Sequence, residues 1–166
     1  MNFLKATVSV AAMMAFAMSA QAQDKVGLYV NLGVQTLEFD TYSAVGRAGY
    51  NINSNFGLEV EGAVGFSGQE EDGVDITTPY TIGGYFVSRY PISPNFELFG
   101  RVGYANINFE AEGLGQSEDL NVDGFSTGGG IMYNLNENNG LRLDYTTLLA
   151  NGGSANIFDV TYVRKF

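Results

Sequence analysis

The stretch YNINSNFGL at residues 50–58 decides the fold, because its pattern returns as YPISPNFEL at 90–98 and as YNLNENNGL at 133–141. Each copy has Tyr, then Ile or Leu two residues later, Asn five later and Leu eight later, and the copies start 40 and 43 residues apart. The centre of each copy holds Asn, Ser, Pro and Gly, which are the residues of tight turns, and apolar and polar residues alternate on both sides. The sequence therefore predicts three β-hairpins with short turns.

Three hairpins account for six strands, and the chain has room for one more strand before the first hairpin and one after the last. The predicted strands cover about 26–36, 42–52, 56–67, 78–90, 96–109, 124–135 and 141–149, and the eighth ends at 166. The other connections are predicted as loops, at about 37–41, 68–75, 110–123 and 150–155. Three consecutive glycines at 128–130 weaken the alternation, and a close approach of neighbouring chain is expected there. We predict an all-β protein, an eight-stranded antiparallel up-and-down barrel.

The N-terminus has the organisation of an export signal. Lys5 gives a positive start, residues 8–18 are apolar, and Ala20-Gln21-Ala22 is an A-x-A cleavage site. The apolar part is too short to span a membrane as a helix, so an uncleaved anchor is the less favoured alternative. We predict a signal peptide at 1–22, cleaved after Ala22, and a barrel domain at 23–166. The chain has no cysteine, which excludes disulfides and a lipid-modified N-terminal Cys.

Alternation alone does not say which face of the barrel is buried. In a soluble barrel the apolar face points inward, whereas in a membrane barrel it meets lipid and the polar face lines the lumen. Aromatic residues flank the repeated turns on the apolar face, as an interfacial girdle would; they are Tyr50, Phe56, Tyr90, Phe96 and Tyr133. The opposite face is predicted to line the lumen.

Five positive and five negative residues share that polar face. They are Arg47, Arg89, Arg101, Arg142 and Lys165, and Glu59, Glu61, Glu97, Asp144 and Asp159. A narrow closed lumen needs a balanced set, because a buried charge without a partner costs several kcal/mol. The alternative is that these are ordinary solvent-facing charges of a soluble β protein. The balance and the girdle favour an ion-pair network inside a transmembrane barrel.

The predicted loops differ from the repeated turns in length and charge. The first three loops hold eleven acidic residues and no Lys or Arg, so most of the net charge of −10 belongs to one rim. Bacterial outer-membrane barrels have short periplasmic turns and long external loops, which places this rim outside the cell. The negative charge also argues against nucleic-acid binding, which needs Lys and Arg for phosphate contacts.

These features resemble a known family. The signal peptide, the hairpin pattern, segments such as LFGRVGY at 98–104 and a last strand ending in Phe166 are similar to those of the small eight-stranded outer-membrane barrels of the OmpA, OmpX and opacity-protein type. The resemblance implies contact with outer-membrane lipid and lipopolysaccharide. It also implies that Tyr162 and Phe166 form a signal for the outer-membrane assembly machinery. Arg164 departs from the family pattern, which usually has an aromatic or apolar residue third from the end.

The chemistry available to the chain is limited. Barrel hydrolases use His as a base, and this chain has none. Glu59 and Glu61 share a face and would suit sugar hydrolysis, but an ion-pair network with Arg47 and Arg101 is favoured. The acidic residues Glu70, Glu71, Asp72 and Asp75 offer oxygen ligands for a divalent cation, although plain solvated acidity is favoured. No cofactor is predicted.

The sequence thus predicts a non-enzymatic, monomeric barrel of the bacterial outer membrane with a side-chain-filled lumen. Its expected role is envelope integrity, or surface interaction and adhesion through the acidic loops. Two alternatives stay open at this point, namely a narrow channel for small solutes and, less favoured, a soluble periplasmic ligand-binding barrel of lipocalin type.

If the signal peptide is cleaved as predicted, the protein extracted from the outer membrane will begin at Gln23. The intact mass of the purified protein, measured by mass spectrometry, checks this directly. An Ala22→Leu variant should retain the precursor mass, because the small-residue site would be lost. A wild-type protein that keeps residues 1–22 in the membrane would contradict the prediction.

Overall fold

The structure is a computed structural model. It describes residues 26–38, 41–66, 69–71, 74–113, 116–150 and 153–166, and side chains are described in these ranges except at 69–71, 74–79, 109–113 and 116–120. The predicted signal peptide and its cleavage site lie outside the described residues. Within those ranges no helix is able to span a membrane.

Antiparallel strands make up almost all of the described chain. The strands are β1 (Gly27–Leu37), β2 (Thr41–Asn51), β3 (Phe56–Gly65), β4 (Gln69–Glu71), β5 (Val74–Pro91), β6 (Phe96–Gly113), β7 (Gln116–Asn134), β8 (Asn139–Ala150) and β9 (Gly153–Lys165). Strand β4 is a short continuation of β3, because both pair with β5. The repeated turns join β2 to β3, β5 to β6 and β7 to β8, as the sequence predicts.

The sheet closes on itself. Each wall strand pairs with the next along the chain, with β5 pairing with both β3 and β4, and β1 pairs with β9 from Tyr29 opposite Lys165 to Leu37 opposite Ile157. The predicted eight-stranded antiparallel barrel is confirmed, with β3 and β4 forming one wall strand. The repeated turns and residues 27 and 166 lie at one end, which we call the short-turn end, and the other connections lie at the loop end.

The apolar face of this barrel points outward. Leu32 on β1 is 66% exposed and Val60 on β3 is 63% exposed, whereas their inward neighbours Asn31 and Glu61 are 0% and 5% exposed. The same inversion is repeated around the wall, since outward Leu, Val, Ile, Tyr and Phe residues are exposed and the buried set is rich in Arg, Asp, Glu, Asn and Thr. The burial pattern does not fit a lipocalin-type barrel, whose apolar face would be inside.

Outward aromatic residues bound the exposed apolar band at both ends. On three strands they lie eight residues apart, as Tyr42 and Tyr50, Phe96 and Tyr104, and Phe125 and Tyr133. Eight residues of a tilted strand rise about 20 Å, close to the ~25 Å apolar band of outer-membrane barrels. The outer surface therefore has the height and composition of a lipid-facing band.

The loop end differs from the prediction. Residues 110–123 were expected to form a loop, but β6 and β7 stay paired from Phe96 opposite Tyr133 to Gly113 opposite Gln116. Residues 69–71 of the second predicted loop also form a strand. The prediction was wrong because it relied on alternation, which arises only where the two faces of a strand meet different media. Where both faces leave the lipid and the lumen, a strand loses that signal.

The close approach predicted at 128–130 is confirmed. A Cβ at Gly130 would collide with the carbonyl oxygen of Leu143 on β8 and would lie 2.8 Å from the ring of Phe99. Phe99 turns into the lumen, so the absence of a side chain at Gly130 leaves room for that ring.

The asparagine shared by the three repeats has a structural task that its spacing alone does not reveal. In each turn the backbone carbonyl oxygen of this asparagine accepts a hydrogen bond from a backbone N–H on the next hairpin or strand. Its side-chain Nδ2 donates to the backbone carbonyl of that same residue. The pairs are Asn55 with Arg89 (2.6 and 3.2 Å), Asn95 with Asn134 (2.7 and 2.9 Å) and Asn138 with Lys165 (2.7 and 3.3 Å). Each turn is thereby fastened to the wall beyond its own hairpin.

Replacing one of these asparagines should weaken the short-turn end. Asn95→Ala removes the Nδ2 hydrogen bond to Asn134 and should lower the free energy of unfolding by about 1 kcal/mol. Urea unfolding in lipid vesicles, followed by the gel mobility of the folded barrel, measures the change. Glu137→Ala is the matched control, because within the described part of the chain its side chain makes no hydrogen bond. Equal midpoints for Asn95→Ala and wild type would contradict this role.

Candidate functional site

A network of buried ion pairs fills the middle of the lumen. Strand alternation turns Arg47, Glu59, Glu61, Arg89, Arg101, Arg142, Asp144 and Asp159 inward from six strands, and all eight are 7% exposed or less. Four are cations and four are anions, so the set is neutral. A neutral set is what a low-dielectric interior requires.

Arg47 links both sides of the barrel seam. Its Nε lies 2.6 Å from Glu61 Oε2 on β3, its Nη2 lies 2.6 Å from Asp159 Oδ2 on β9, and its Nη1 lies 3.3 Å from Asp144 Oδ2 on β8. Because β1 pairs with both β2 and β9, this one guanidinium binds carboxylates from the N-terminal and the C-terminal parts of the barrel. Asp144 and Asp159 are direct cross-strand partners, and their mutual repulsion is offset by the shared Arg47.

Two further arginines complete the cross-lumen contacts. Arg142 on β8 binds Glu59 on β3 through Nη1, and its Nη2 lies 2.7 Å from Asp144 Oδ1. Arg101 on β6 places Nη2 at 2.6 Å from Glu61 Oε2 and Nη1 at 3.5 Å from Asp144 Oδ1. The sequence predicted that Glu59 and Glu61 would pair with Arg47 and Arg101. In the structure Glu61 binds both of those arginines, whereas Glu59 binds Arg142.

Aromatic rings satisfy the faces of three guanidinium groups. The Cζ atom of Arg101 lies 3.5 Å from the ring centroid of Tyr85, that of Arg142 lies 3.9 Å from Phe99, and that of Arg89 lies 4.6 Å from Tyr29. Nε and Nη1 of Arg101 have no hydrogen-bond partner, so the cation–π contact replaces part of the missing stabilisation there. The sequence gave no signal for Phe99 as a lumen residue, because its apolar side chain interrupts the polar face of β6.

Apolar clusters lie on both sides of the network. Toward the loop end the wall turns Ala105, Ile107, Leu148 and Ile157 inward, within a cluster that also includes Tyr85, Val87 and Phe99. Toward the short-turn end a second cluster joins Tyr29, Met132 and Val163. The charged layer thus lies between two apolar clusters, and such surroundings of low polarity strengthen ion pairs.

The remaining two predicted lumen charges form a separate pair at the short-turn end. Lys165 Nζ lies 3.6 Å from Glu97 Oε1 and 2.7 Å from Asn134 Oδ1, and Asn134 donates to Glu97 at 2.7 Å. Arg89 nearby donates to Asn51 and lies 3.7 Å from Glu59. Asn51 and Asn134 were missed by the sequence reasoning, although both stand directly after a repeat tyrosine and could have been found there.

The other predicted site residues lie on the outer surface. Tyr50, Phe96 and Tyr133 are exposed and Phe56 and Tyr90 are half-buried, and the five surround the short-turn end as a girdle would. Phe96 packs on Tyr133 with ring centroids 4.8 Å apart, and Phe56 stacks on Phe86 at 5.5 Å. Tyr162 and Phe166 are also outward and exposed, and the N–H of Phe166 donates to the carbonyl of Leu28 at 2.9 Å, which ties the C-terminus to β1.

The candidate cation ligands are not brought into view. Asp72 and the side chains of Glu70, Glu71 and Asp75 lie outside what the structure describes, so a metal site there stays a prediction. Elsewhere in the described part, no group of three or more acidic residues has the geometry of a metal site.

The family model of the outer membrane protein beta-barrel domain matches residues 8–166 of the chain. The chain belongs to that family. An inverted barrel with an apolar outer band is therefore an outer-membrane barrel, and the predicted transmembrane architecture is confirmed. By the rule for such barrels, the short-turn end is periplasmic and the loop end is external. No curated protein matches the sequence significantly.

Solved structures share the fold at low sequence identity. The N-terminal β-barrel domain of Pseudomonas aeruginosa OprF is 12% identical, with a TM-score of 0.71 over 87% of this chain and 100% of that one. Ail, the attachment invasion locus protein of Yersinia pestis, is 16% identical, with a TM-score of 0.63 over 87% and 100%. Pseudomonas aeruginosa OprG is 12% identical, with a TM-score of 0.62 over 87% and 98%. At these identities the likeness concerns the fold alone.

Removing one member of the network should be costly. Arg47→Met leaves Asp144 and Asp159 side by side without their shared cation, and it should lower the free energy of unfolding by about 3–5 kcal/mol. Urea unfolding in vesicles measures the loss. Lys165→Met is the matched control at the edge of the lumen, and a smaller loss is expected there because Lys165 pairs with one carboxylate, at 3.6 Å, rather than with three. Equal effects of the two substitutions would contradict a network centred on Arg47.

Proposed function

We propose that the protein is a non-enzymatic, monomeric outer-membrane barrel that acts through its surface, either by contributing to envelope integrity or by binding partners at its acidic external rim. The filled lumen carries this proposal. Eight strands enclose an interior just wide enough for side chains, and here ion pairs, aromatic rings and two apolar clusters occupy it. With the lumen filled, the membrane-facing wall and the external loops are the surfaces left for function.

The acidic rim supports a cationic rather than an anionic partner. The eleven acidic residues of the first three loops are accompanied by no Lys or Arg. Ail has been solved in complex with the heparin analogue sucrose octasulfate, which is a polyanion. A rim of the opposite charge would repel such a ligand and attract basic protein surfaces or divalent cations. Cations bridging this rim to lipopolysaccharide phosphates would link it to envelope integrity.

The surroundings of Glu59 and Glu61 support a structural role for these two carboxylates rather than a role in glycoside hydrolysis. Both carboxylates are buried and bound by arginines, and Tyr29 donates to Glu59 at 2.6 Å. A carboxylate held in this way has neither access to a sugar nor a free position for a water. The absence of histidine from the sequence points in the same direction.

Complementation of a deletion strain separates the two surface roles. The strain would receive the wild-type gene or a variant with Glu70→Gln, Glu71→Gln, Asp72→Asn and Asp75→Asn, and detergent sensitivity and adhesion to a cationic surface would be measured. An adhesive rim predicts loss of adhesion with detergent resistance retained. A bridging role predicts loss of detergent resistance. A deletion that changes neither property would contradict the proposal.

The filled lumen also predicts little conductance. Purified protein in a planar lipid bilayer should show no steady, porin-sized openings, because buried charged, aromatic and apolar side chains fill the described part of the lumen. A general porin reconstituted in the same bilayer is the positive control. Long-lived openings of porin size would refute the filled lumen and would favour the alternative of a small-solute channel.

A further inference from the structure

One basic side chain points away from the lumen. Among the described residues, Arg164 is the only Lys or Arg on the outward face, since the other basic side chains turn inward to the carboxylates and amides of the lumen. Arg164 is exposed and lies two residues from the C-terminus, at the short-turn end of β9. The position therefore faces the periplasmic leaflet of the membrane.

Its neighbours hold the guanidinium without neutralising it. Nη1 donates to Asn139 Oδ1 at 2.9 Å, and the hydroxyl of Tyr162 donates to the same oxygen. The Cζ atom lies 5.9 Å from the ring of Phe166. Within the described part of the chain, no carboxylate lies at ion-pair distance from Arg164, and its Nε and Nη2 make no hydrogen bond. A positive charge is thus fixed in position with donors left for an anion.

An apolar groove opens on the wall beside it. The groove has a volume of about 530 Å³ and its outward lining residues are Val30, Leu32, Gly46, Ala48, Val60 and Gly62. Arg47 and Glu61 also border it, but their side chains turn into the lumen. The depression exists because β2 and β3 place Gly46 directly opposite Gly62, while Leu32 lies opposite Gly46 on β1 and Val60 lies two residues from Gly62 on β3. The depression is shallow and open toward the lipid.

The groove and the guanidinium are adjacent. Val30, on the rim of the groove, is the cross-strand partner of Arg164 on β9 and of Ala48 on β2. On β2, Ala48 lies two positions from Tyr50 of the short-turn girdle and Gly46 lies midway between Tyr42 and Tyr50, so the groove extends from the middle of the apolar band toward its periplasmic edge. One ligand is able to contact both features only if it has an anionic head and an apolar chain.

We propose that this face is a binding site for one glycerophospholipid of the periplasmic leaflet, with the phosphate on Arg164 and an acyl chain in the groove. The charge complements a phosphodiester, the lining complements a hydrocarbon chain, and the short-turn end sets the leaflet. The site is separate from the acidic rim and does not depend on the function proposed for it.

Native mass spectrometry of the detergent-solubilised barrel with dipalmitoyl phosphatidylglycerol tests the site. The wild type should retain one lipid in preference to further ones. Arg164→Gln should weaken that first binding step about fivefold, the effect expected of one basic residue at an anionic lipid surface, and Arg164→Lys should restore part of it. Gly62→Leu should also weaken it by filling the groove. Gel mobility verifies that each variant is folded.

Gly84→Leu is the matched control for the groove. A Cβ meets nothing within 4 Å at either Gly62 or Gly84, and both residues face outward, but Gly84 does not line the groove. Binding unaffected by Gly84→Leu supports the site. Unchanged binding in Arg164→Gln, an equal loss in Gly62→Leu and Gly84→Leu, or full competition by glycerophosphoglycerol, which has the phosphate but no acyl chain, would overturn it.

Discussion

The requirement that charge be balanced inside a closed, narrow lumen governs this barrel. Arg47 reaches Glu61 across the β2–β3 hairpin and Asp159 across the β1–β9 seam, and Arg142 reaches Glu59 on the far wall. These contacts join strands that are distant in sequence and that backbone pairing alone joins only to their neighbours. Backbone hydrogen bonds hold neighbouring strands of the wall together, while the ion-pair network connects strands on opposite sides of the lumen.

The outer surface follows from the same inversion. Because the polar residues of every strand are used inside, the apolar residues remain outside, and their band ends in aromatic residues at both edges. The short-turn end is kept compact by asparagines that fasten each turn to the following strand, whereas β6 and β7 extend beyond β8 at the loop end. The charged residues at the centre of the lumen are therefore balanced, and the sequence concentrates most of its remaining acidic residues toward the loop end.

The fold could be predicted because lipid and lumen impose opposite demands on alternate residues. That alternation located eight strands, and it predicted that Arg47, Glu61 and Asp159 lie on the lumen-facing side of the wall. It could not say that Glu59 pairs with Arg142 rather than with Arg47, since partner choice depends on how strands three or more apart approach across the lumen. It also failed at 110–123, where the sequence shows no clear alternation although β6 and β7 stay paired.

Some residues stood out in the sequence, but only the structure explains why they are there. The asparagine of each repeat was evident from spacing, but its carbonyl and amide are directed at a strand that the turn does not touch in sequence. Phe99 broke the polar pattern of β6, and only the missing side chain at Gly130 and the position of Arg142 explain why a ring fits there. Arg164 departed from the pattern of the family, and the structure shows it beside an apolar groove that no local sequence signal marks.

The coupling free energy between Glu59 and Arg142 tests the central role of the network most directly. A double-mutant cycle with Glu59→Gln, Arg142→Met and the combined variant, measured by urea unfolding in lipid vesicles, isolates the interaction across the lumen. If charge balance across the lumen sustains the barrel, the double variant will be more stable than the sum of the single losses predicts, by about 2 kcal/mol or more. Additive losses, within about 0.5 kcal/mol, would contradict it.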